Sequence, residues 1–570
     1  MHRQFYFVLG DEFFMQKNHL VTALITGLAL ATILVACGSK NTSASGSRQT
    51  LNLSETDDPT TLDVNDMRNS NENDILSEVQ EGLTTIESTN GKDKVVLTGA
   101  KSYTKSADGL TYTFKLRDAK WSDGKAVTAQ QYVDSFQRLL KKENAFAQAS
   151  SAYFIKGAEA YNTGKGSVAD LGVKALDART LQIRLAYAYP SLLSDMATVI
   201  YYPVRLDKIN KVGNKKWKTD VQDQVFNGPF KLTSWKKDDK ITLKKNKTYW
   251  NAKKVKLQTV NYTTVKKPST VLSLMQSGQL DALSASGKLI SDFNQLAKSS
   301  KLVSRKQNGS TTKVLIMNQH NGGTQGLFKN VKVREAFSLS IDRTSYNKAV
   351  NDGRDKLTYT MVPQSSDVSG TNYGEYVGNP LKTAQAQYNT KAKRQALLKE
   401  GLQELGKSTD LTKLNFVYLT LGSDDTATWL KQTIQENLGV KVTVKTAPDT
   451  ASFIQMRNDN QYDLLANGWL ATADPNAYLS LWNSGNGFQK FFGGYNSKTF
   501  DDLDDQLNGN LTAAQRLTLY KQLENQLVAK DFGVVPLTNP QSRIYINKSV
   551  KNLQTTVFGG TFNYTYASKE

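Results

Sequence analysis

The chain has 570 residues, 39% of them hydrophobic, and its 72 basic and 52 acidic side chains give a formal net charge of +20. This length suffices for three or four domain-sized units with a substantial core. One cysteine, Cys37, and three histidines, His2, His19 and His320, are too few for disulfides, cysteine-based zinc sites or multi-histidine metal sites. The lysines are scattered among polar residues without a nucleic-acid-binding motif, so we interpret the charge as a solvated surface and expect no nucleic-acid partner.

The N-terminal segment is predicted to direct the chain to a membrane. An apolar run over residues 20–35 leads into Leu34-Val-Ala-Cys37, which has the form of a bacterial lipobox. We therefore predict a lipoprotein signal peptide over 1–36, and a diacylated Cys37 followed by a flexible, Ser- and Gly-rich tether over 37–49. An uncleaved signal anchor is the alternative. The acidic pair Asp11 and Glu12 does not suit a signal peptide, which favours Met15 as the translation start.

Helical spacing first occurs over residues 74–83, and residues 95–189 have the pattern of a small α+β subdomain. The most informative run of this subdomain is 108–129. Alternation over 110–116 predicts a half-buried strand, Ser122-Asp-Gly124 predicts a turn, and Thr128 with Gln131 has capping-box spacing. The helix that follows should face the core with Tyr132, Val133, Phe136, Leu139 and Leu140.

The second half of the chain opens with Val314-Leu-Ile-Met317, a short apolar run typical of a strand buried on both faces. One helix is predicted over 331–350 and a long loop over 353–388. Helices and strands then alternate, which predicts an α/β lobe. The alternating segments are 391–405, 414–419, 426–438, 440–444, 453–457 and 462–467, with a further amphipathic helix over 511–528.

The run 108–129 resembles the segment by which the family 5 solute-binding proteins of ABC transporters are recognised, in which a strand leads through Leu-Arg, Trp-Ser-Asp-Gly and Val-Thr-Ala into a helix. The oligopeptide-binding lipoproteins are the branch that it resembles most. Other short motifs occur in the family's order along the chain. They are Pro59-Thr-Thr-Leu-Asp63, Glu81-Gly-Leu83, Asn227-Gly-Pro-Phe230, Tyr249-Trp250, Ser277-Gly-Gln-Leu-Asp281, Val333-Arg-Glu-Ala336, Ile341-Asp-Arg343 and Gly468-Trp469.

The resemblance implies an α/β fold of the two-lobed, type II periplasmic-binding-protein kind, with a ligand cleft between the lobes and an extra α+β subdomain on lobe I. Lobe I should comprise 50–83, 196–312 and 539–570. The inserted subdomain should cover 84–195, and lobe II should cover 313–538. Two chain crossings would then form a hinge about which the lobes close.

The candidate ligand site is Asn467-Gly-Trp-Leu-Ala-Thr-Ala-Asp-Pro475, at the end of a predicted strand. In the peptide-binding relatives the corresponding pattern is Gly-Trp-x-Ala-Asp-Tyr-x-Asp-Pro, where the Trp lines the cleft and the first Asp pairs with the peptide's ammonium group. This chain is one residue shorter. Counting from Trp469 places Thr472 at the anchoring position, whereas counting back from the proline aligns Asp474 with the second Asp, and we keep both as candidates.

Further ligand-binding candidates come from position alone. They are Asn69 and Ser70 before the first helix, Tyr153 in the insert, Asn318 after the buried strand, and Arg457. Such polar residues suit a peptide that is held mainly through its backbone, as in strand addition. In that binding mode the side chains of the peptide lie in separate pockets.

Several apparent catalytic motifs have simpler explanations. The segment 401–408 fits a P-loop pattern, but it ends a predicted helix, so Gly406 is expected to be a C-cap glycine. Ser102-Tyr-Thr-Lys105 lacks the companion motifs of the β-lactamase class, and His320 is expected at the surface. We therefore predict that the protein is not an enzyme and uses no metal and no cofactor.

The sequence thus predicts a monomeric, lipid-anchored receptor on the extracytoplasmic face of the cell membrane. It would capture oligopeptides by hinge closure and deliver them to ABC transporter permease subunits driven by cytoplasmic ATPases. The alternative keeps the fold and changes the cargo to a signalling peptide or another small solute. A secreted hydrolase or an adhesin is the least favoured alternative.

Overall fold

The computed structural model describes residues 49–89, 92–187, 189, 191–286, 289–299, 301–320, 326–368, 371–470, 474–485, 489, 493–507, 509 and 511–570. The predicted signal peptide, Cys37, Met15 and Thr472 lie outside the described residues.

The described chain begins with strand β1 (Thr50–Glu55) and helix α1 (Ser70–Val79). The helix begins and ends four residues earlier than the spacing over 74–83 predicted. A capping box fixes its start, since Asn69 Oδ1 accepts the Glu72 N–H at 3.0 Å and Glu72 Oε2 accepts the Asn69 N–H at 3.2 Å.

The chain then forms the inserted subdomain. Its elements are β2 (Thr84–Thr89), β3 (Lys92–Leu97), β4 (Ala100–Lys105), β5 (Thr111–Leu116), α2 (Ala129–Leu140), α3 (Ala158–Thr163), β6 (Val173–Asp177), β7 (Thr180–Arg184) and α4 (Leu192–Asp195). A sheet in the order β4-β5-β7-β6 packs against α2. The predicted strand and helix are confirmed: Tyr112 and Phe114 are buried, and Gln131 Oε1 accepts the N–H of Thr128 at 2.9 Å.

The chain returns to the first lobe through α5 (Leu206–Val212), α6 (Asn214–Trp217), β8 (Phe230–Lys236), β9 (Lys240–Lys245), β10 (Thr259–Thr264), α7 (Pro268–Gln276), β11 (Ala282–Ala285), α8 (Leu289–Ser299) and β12 (Leu302–Asn308). The first-lobe sheet has the order β1-β10-β9-β8, with β1 parallel to β10.

The second lobe is built on a six-stranded sheet in the order β14-β20-β13-β19-β17-β18. Its elements are β13 (Thr311–Met317), α9 (Val331–Leu339), α10 (Arg343–Asn351), β14 (Lys356–Leu357), β15 (Asp367–Val368), β16 (Thr371–Asn372), α11 (Tyr373–Val377), α12 (Lys382–Gln387), α13 (Lys391–Glu404), β17 (Asn415–Leu421), α14 (Asp425–Leu438), β18 (Lys441–Ala447), α15 (Thr450–Asn458), β19 (Leu464–Leu470), α16 (Asn476–Leu479), α17 (Lys498–Gln506), α18 (Ala513–Glu524), the π-helical segment Asn525–Lys530 and β20 (Val534–Asn539). Strand β13 is buried on both faces from Val314 to Met317, as predicted.

Two predictions for this lobe were wrong. The helix predicted over 331–350 is two helices, because Asp342 caps the second one by accepting the N–H of Thr344 at 2.9 Å. The segment 353–388 contains three short strands and two short helices, β14 to β16 and α11 to α12, where a loop was predicted. The Gly and Pro residues of this segment are typical of loops, so the sequence did not indicate the short strands and helices.

The chain re-enters the first lobe as β21 (Gln541–Asn547), which lies between β11 and β12, and ends with β22 (Val550–Lys551) and β23 (Ser568–Lys569). The two connections between the lobes run side by side. The N–H of Gly309 donates to the carbonyl of Pro540 at 2.9 Å, and Gln541 Nε2 donates to Asn308 Oδ1 at 2.7 Å. The two chain connections between the lobes therefore lie at one crossing, whereas the residue boundaries predicted for the lobes stay predictions.

Carboxyl groups of α1 hold the C-terminal segment against the first lobe. Asp74 Oδ1 accepts the N–H of Thr561 at 2.6 Å, and Glu78 Oε1 accepts the N–H of Tyr564 at 3.0 Å. Burial raises the pKa of Asp74 to about 6 and that of Glu78 to about 8. These carboxyl groups are therefore buried hydrogen-bond acceptors. Their raised pKa values keep them protonated at a higher pH than exposed carboxyl groups.

We expect Glu78→Gln to change how stability depends on pH. Because the folded-state pKa of Glu78 lies above the unfolded value, the folded protein binds the extra proton, and stability falls as pH rises from about 4.5 toward 8. The variant should lose this component, so relative to the wild type it should gain about 3.5 kcal/mol between pH 5 and pH 8. Urea unfolding at both pH values measures this. Glu375→Gln, at an exposed position, is the control, and parallel pH profiles for wild type and Glu78→Gln would contradict the assignment.

A second prediction concerns the crossing. A Cβ atom at Gly309 would lie 2.3 Å from the carbonyl oxygen of Pro540, so Gly309→Ala must push the two connections apart. We expect a loss of about 1–3 kcal/mol in the free energy of unfolding, as for other overpacked sites. Thermal unfolding measures it, with Gly485→Ala as control because its new Cβ would meet a side-chain oxygen at 3.2 Å. Equal melting temperatures for the two variants would refute the steric argument.

Candidate functional site

The inserted subdomain and the second lobe face each other across a cleft. Burial raises the pKa of Tyr112 on β5 to about 12, and the positive charge of Arg516 on α18 opposes that rise. Burial also raises the pKa of Tyr187 to about 12, with smaller contributions from Asp474 and other acidic groups. Charges of the second lobe therefore act directly on tyrosines of the insert, and we call the space between these surfaces the interlobe cleft.

Trp469 lies at the end of β19 that is nearest to the crossing. In the antiparallel register Thr312 on β13 is opposite Trp469, and β13 begins two residues after Gly309. The indole is half-buried and packs against the second-lobe core. This placement at the base of the cleft agrees with its predicted role, although its contact with ligand stays a prediction.

Asp474 follows the same strand and is held in a fixed orientation. It is 5% exposed, and its Oδ1 accepts the Tyr520 hydroxyl at 3.0 Å and the backbone N–H of Asn476 at 2.9 Å. The charge of Asp474 also contributes to raising the pKa of Asp195 in the insert. The structure therefore brings Trp469 and Asp474 to one side of the cleft, whereas Thr472 lies outside the described residues.

Asn318 and Arg457 do not join this group. Asn318 follows β13 at the end opposite the crossing, roughly 20 Å along the sheet from the Trp469 position. Its Nδ2 donates to the Tyr462 carbonyl at 2.8 Å and its Oδ1 accepts the His320 N–H at 3.0 Å. Arg457 belongs to the same end, where its charge acts on Tyr462. Both side chains are buried in the second-lobe fold, so binding roles for them stay predictions.

The candidates of the first lobe also have local partners. The Asn69 side chain caps α1, and Ser70 is an exposed residue in the first turn of that helix. The Tyr153 hydroxyl donates to Asn162 Oδ1 at 2.7 Å inside the insert. Each of these contacts stabilises local structure, and no described geometry places the three side chains beside Trp469.

Sequence reasoning missed the insert's side of the cleft. Tyr187, Tyr189 and Asp195 lie there, and Arg516 faces Tyr112 from the second lobe. One signal was available: Asp195 is a single carboxylate among Leu192, Leu193 and Met196, and a buried carboxylate is uncommon without a specific role.

The apparent catalytic motifs have structural explanations. Gly406 follows α13 with φ of +65°, and its N–H donates to the carbonyl of Gln403, so the P-loop pattern ends a helix as predicted. Ser102 to Lys105 lie exposed on β4. His320 was expected at the surface but is half-buried, with Nε2 at 2.9 Å from the carbonyl oxygen of Gln489. Among the described residues, no three His, Cys, Asp or Glu side chains are grouped as metal ligands.

Within the part of the chain that the structure describes, no helix is both long and apolar enough to cross a bilayer.

Comparisons with known proteins agree with this architecture. The chain is 32% identical over 543 residues to the oligopeptide-binding protein OppA of Bacillus subtilis strain 168, covering 92% of this chain and 94% of that protein. The substrate-binding domain of an oligopeptide ABC transporter from Bacillus anthracis is 30% identical, with a TM-score of 0.69 and coverage of 92% of this chain and 99% of that one. Listeria monocytogenes OppA, solved with a bound peptide, is 26% identical with a TM-score of 0.70 and coverage of 92% of this chain and 99% of that one. Residues 94–490 match the family model described as bacterial extracellular solute-binding proteins, family 5 Middle. The chain belongs to the bacterial extracellular solute-binding proteins of family 5.

Proposed function

We propose that this protein is the substrate-binding component of an ABC transporter that captures oligopeptides in the interlobe cleft. Two observations support the proposal: Trp469 lies opposite Thr312 at the end of β19 nearest to the crossing, and the charge of Asp474 acts on Asp195 of the insert. An aromatic surface and an oriented carboxylate suit a peptide, which offers apolar side chains and an ammonium group. The narrow crossing allows the lobes to close around this cargo and open to release it to a permease.

The proposed role is binding without catalysis. The chain belongs to a family of binding proteins, and its only histidine beyond the predicted signal peptide, His320, is engaged with a backbone carbonyl of the second lobe. We also propose that the protein acts as a monomer and without a cofactor.

A second candidate cargo is a signalling peptide or another small solute. The observation that favours it is Thr472, which stands where the resemblance places the ammonium-anchoring aspartate when the motif is counted from Trp469. A hydroxyl at that position cannot supply the charge of a carboxylate, so the mode of ammonium recognition must differ from the family pattern.

The first functional test is direct binding of peptides. Trp469→Ala should weaken binding of a mixed-sequence tetrapeptide by about 2 kcal/mol, or roughly thirtyfold in the dissociation constant, because a large aromatic contact is lost. Titration calorimetry with the purified full chain measures this. The control is Trp429→Ala, since Trp429 packs on the far helical layer of the second lobe against Tyr346. Tight tetrapeptide binding that Trp469→Ala does not weaken would remove Trp469 from the site, and failure of the wild type to bind any peptide would refute the proposed function.

We further propose that Cys37 anchors the protein on the extracytoplasmic face of the cell membrane. The support is the lipobox pattern of residues 34–37. In cells fed a clickable palmitate analogue, the wild type should be labelled and should sediment with membranes, whereas Cys37→Ser should lose the label because it lacks the thiol that is acylated. Ser39→Ala, two residues further along the chain, is the control and should keep the label. Labelling of Cys37→Ser at the wild-type level would refute the anchor.

A further inference from the structure

Two lysines stand directly opposite each other at one end of the first-lobe sheet. The sides of β8 and β9 that face the core carry Leu232 and Leu243, and the opposite sides carry Lys231 and Lys244. Both lysines are exposed, and neither forms an ion pair with a carboxylate of the described residues. Like charges placed opposite each other on neighbouring strands are destabilising, so this pair calls for an explanation.

The loop after β9 adds further lysines at the same end of the sheet. It covers residues 246–258 and returns the chain to the start of β10. Lys245 Nζ donates to the Val255 carbonyl at 2.7 Å, which holds the loop against the end of β9. Residues 240–280 contain no Asp or Glu. We give the name lysine patch to the six exposed lysines of this end, which are Lys231, Lys244, Lys247, Lys253, Lys254 and Lys256.

The opposite end of the same sheet differs in charge balance. There Lys236 pairs with Asp239 at 2.7 Å, and Lys266 pairs with Asp238 at 3.0 Å. Both ends are exposed to solvent, so exposure alone does not account for the difference. Positive charge without a carboxylate partner is therefore concentrated at one end of the sheet.

The described chain begins at the end that carries the lysine patch. Thr50 on β1 stands in the same cross-strand row as Lys244 and Lys231. At the usual spacing of strands, the row places Lys244 about 10 Å and Lys231 about 14 Å from Thr50. The Gln49 carbonyl accepts the N–H of Gln258 at 2.8 Å, which ties the first described residue to the lysine-bearing loop.

The carboxyl groups beside the start of β1 do not offset the patch. Asp281 is buried and pairs with Lys569 at 2.8 Å. Glu570 pairs with Lys551 at 3.4 Å. Each carboxylate is balanced by its own lysine, so the patch keeps its positive charge.

The predicted tether over 37–49 would hold this end of the sheet near a membrane. A flexible chain of that length reaches about 20 Å, which is two to three Debye lengths at physiological salt, where the Debye length is about 8 Å. A basic surface held so close to an anionic bilayer is attracted to it, and a basic patch strengthens the attachment that a lipid chain provides.

We propose that the lysine patch docks the first lobe on the anionic phospholipid surface of the membrane in which the protein is anchored. The lysine ammonium groups pair with the phosphate groups of the lipids. The anchor alone would let the body turn freely on its tether, whereas the patch fixes one orientation, with this end of the sheet toward the bilayer. The proposal uses the lipid anchor proposed above and does not depend on the identity of the cargo.

The test is co-sedimentation with vesicles of the full chain that carries Cys37→Ser and therefore lacks the acylated thiol. Vesicles of phosphatidylcholine are compared with vesicles that also contain phosphatidylglycerol, and the neutral vesicles measure the contribution of the apolar N-terminal segment. The protein should bind the anionic vesicles about tenfold more tightly in about 0.1 M salt. The preference should vanish in about 1 M salt, where the Debye length falls to about 3 Å.

A patch variant tests which lysines cause the preference. It combines Lys231→Gln, Lys244→Gln, Lys254→Gln and Lys256→Gln. Each lysine near an anionic bilayer strengthens binding several-fold, so this variant should lose the preference almost completely, by about tenfold. The control removes the same charge from exposed lysines elsewhere, with Lys165→Gln, Lys174→Gln, Lys399→Gln and Lys441→Gln, and should keep most of the preference. Wild-type melting temperatures would show that both variants are folded.

Three results would overturn the proposal. The first is equal binding of the unsubstituted patch to anionic and neutral vesicles, which needs no lysine variant to observe. The second is an equal loss in the patch variant and the control, because net charge and not the position of the lysines would then cause the binding. The third is patch-dependent binding of soluble polyphosphate without any preference among vesicles, which would assign the patch to a phosphate polymer. The palmitate labelling described above tests the anchor separately, so failure of the anchor and failure of the patch are distinguishable.

Discussion

The paired crossing between the lobes is the constraint on which the rest of the structure depends. The chain enters the second lobe after Gly309 and leaves it at Pro540, and these two residues are joined by a backbone hydrogen bond. Because both connections lie at this one place, we expect the second lobe to move as one body about it. A cleft with one hinge can bury a ligand completely on closure, and the same geometry releases the ligand when it opens.

Charged groups of the second lobe act on residues of the insert across the cleft. The chain carries a formal charge of +20. Near Asp474 the groups carry both signs: its charge acts on the buried Asp195 of the insert, and the buried Arg516 acts on Tyr520, whose hydroxyl donates to Asp474.

The parts of the fold that follow local periodicity could be predicted from the sequence. A clear repeat of apolar residues is present in strand β5, in helix α2 and in the alternating helices and strands from α13 to β19. The helix predicted over 331–350 failed because a single cap at Asp342 outweighs the apolar pattern. Trp469 was identified from a motif, whereas the Asp195 side of the cleft depends on how two distant segments meet, which no local pattern encodes.

The most direct test of this account is the distance between the insert and the second lobe with and without peptide. In the full chain with Cys37→Ser, the exposed residues Lys174 and Thr499 can be replaced by cysteine and spin-labelled without competing thiols. Pulsed electron paramagnetic resonance should show a broad distribution of distances between the two labels without ligand. Adding a peptide that binds should shorten the mean distance and narrow the distribution. A distribution that peptide binding leaves unchanged would contradict closure of the lobes around the ligand.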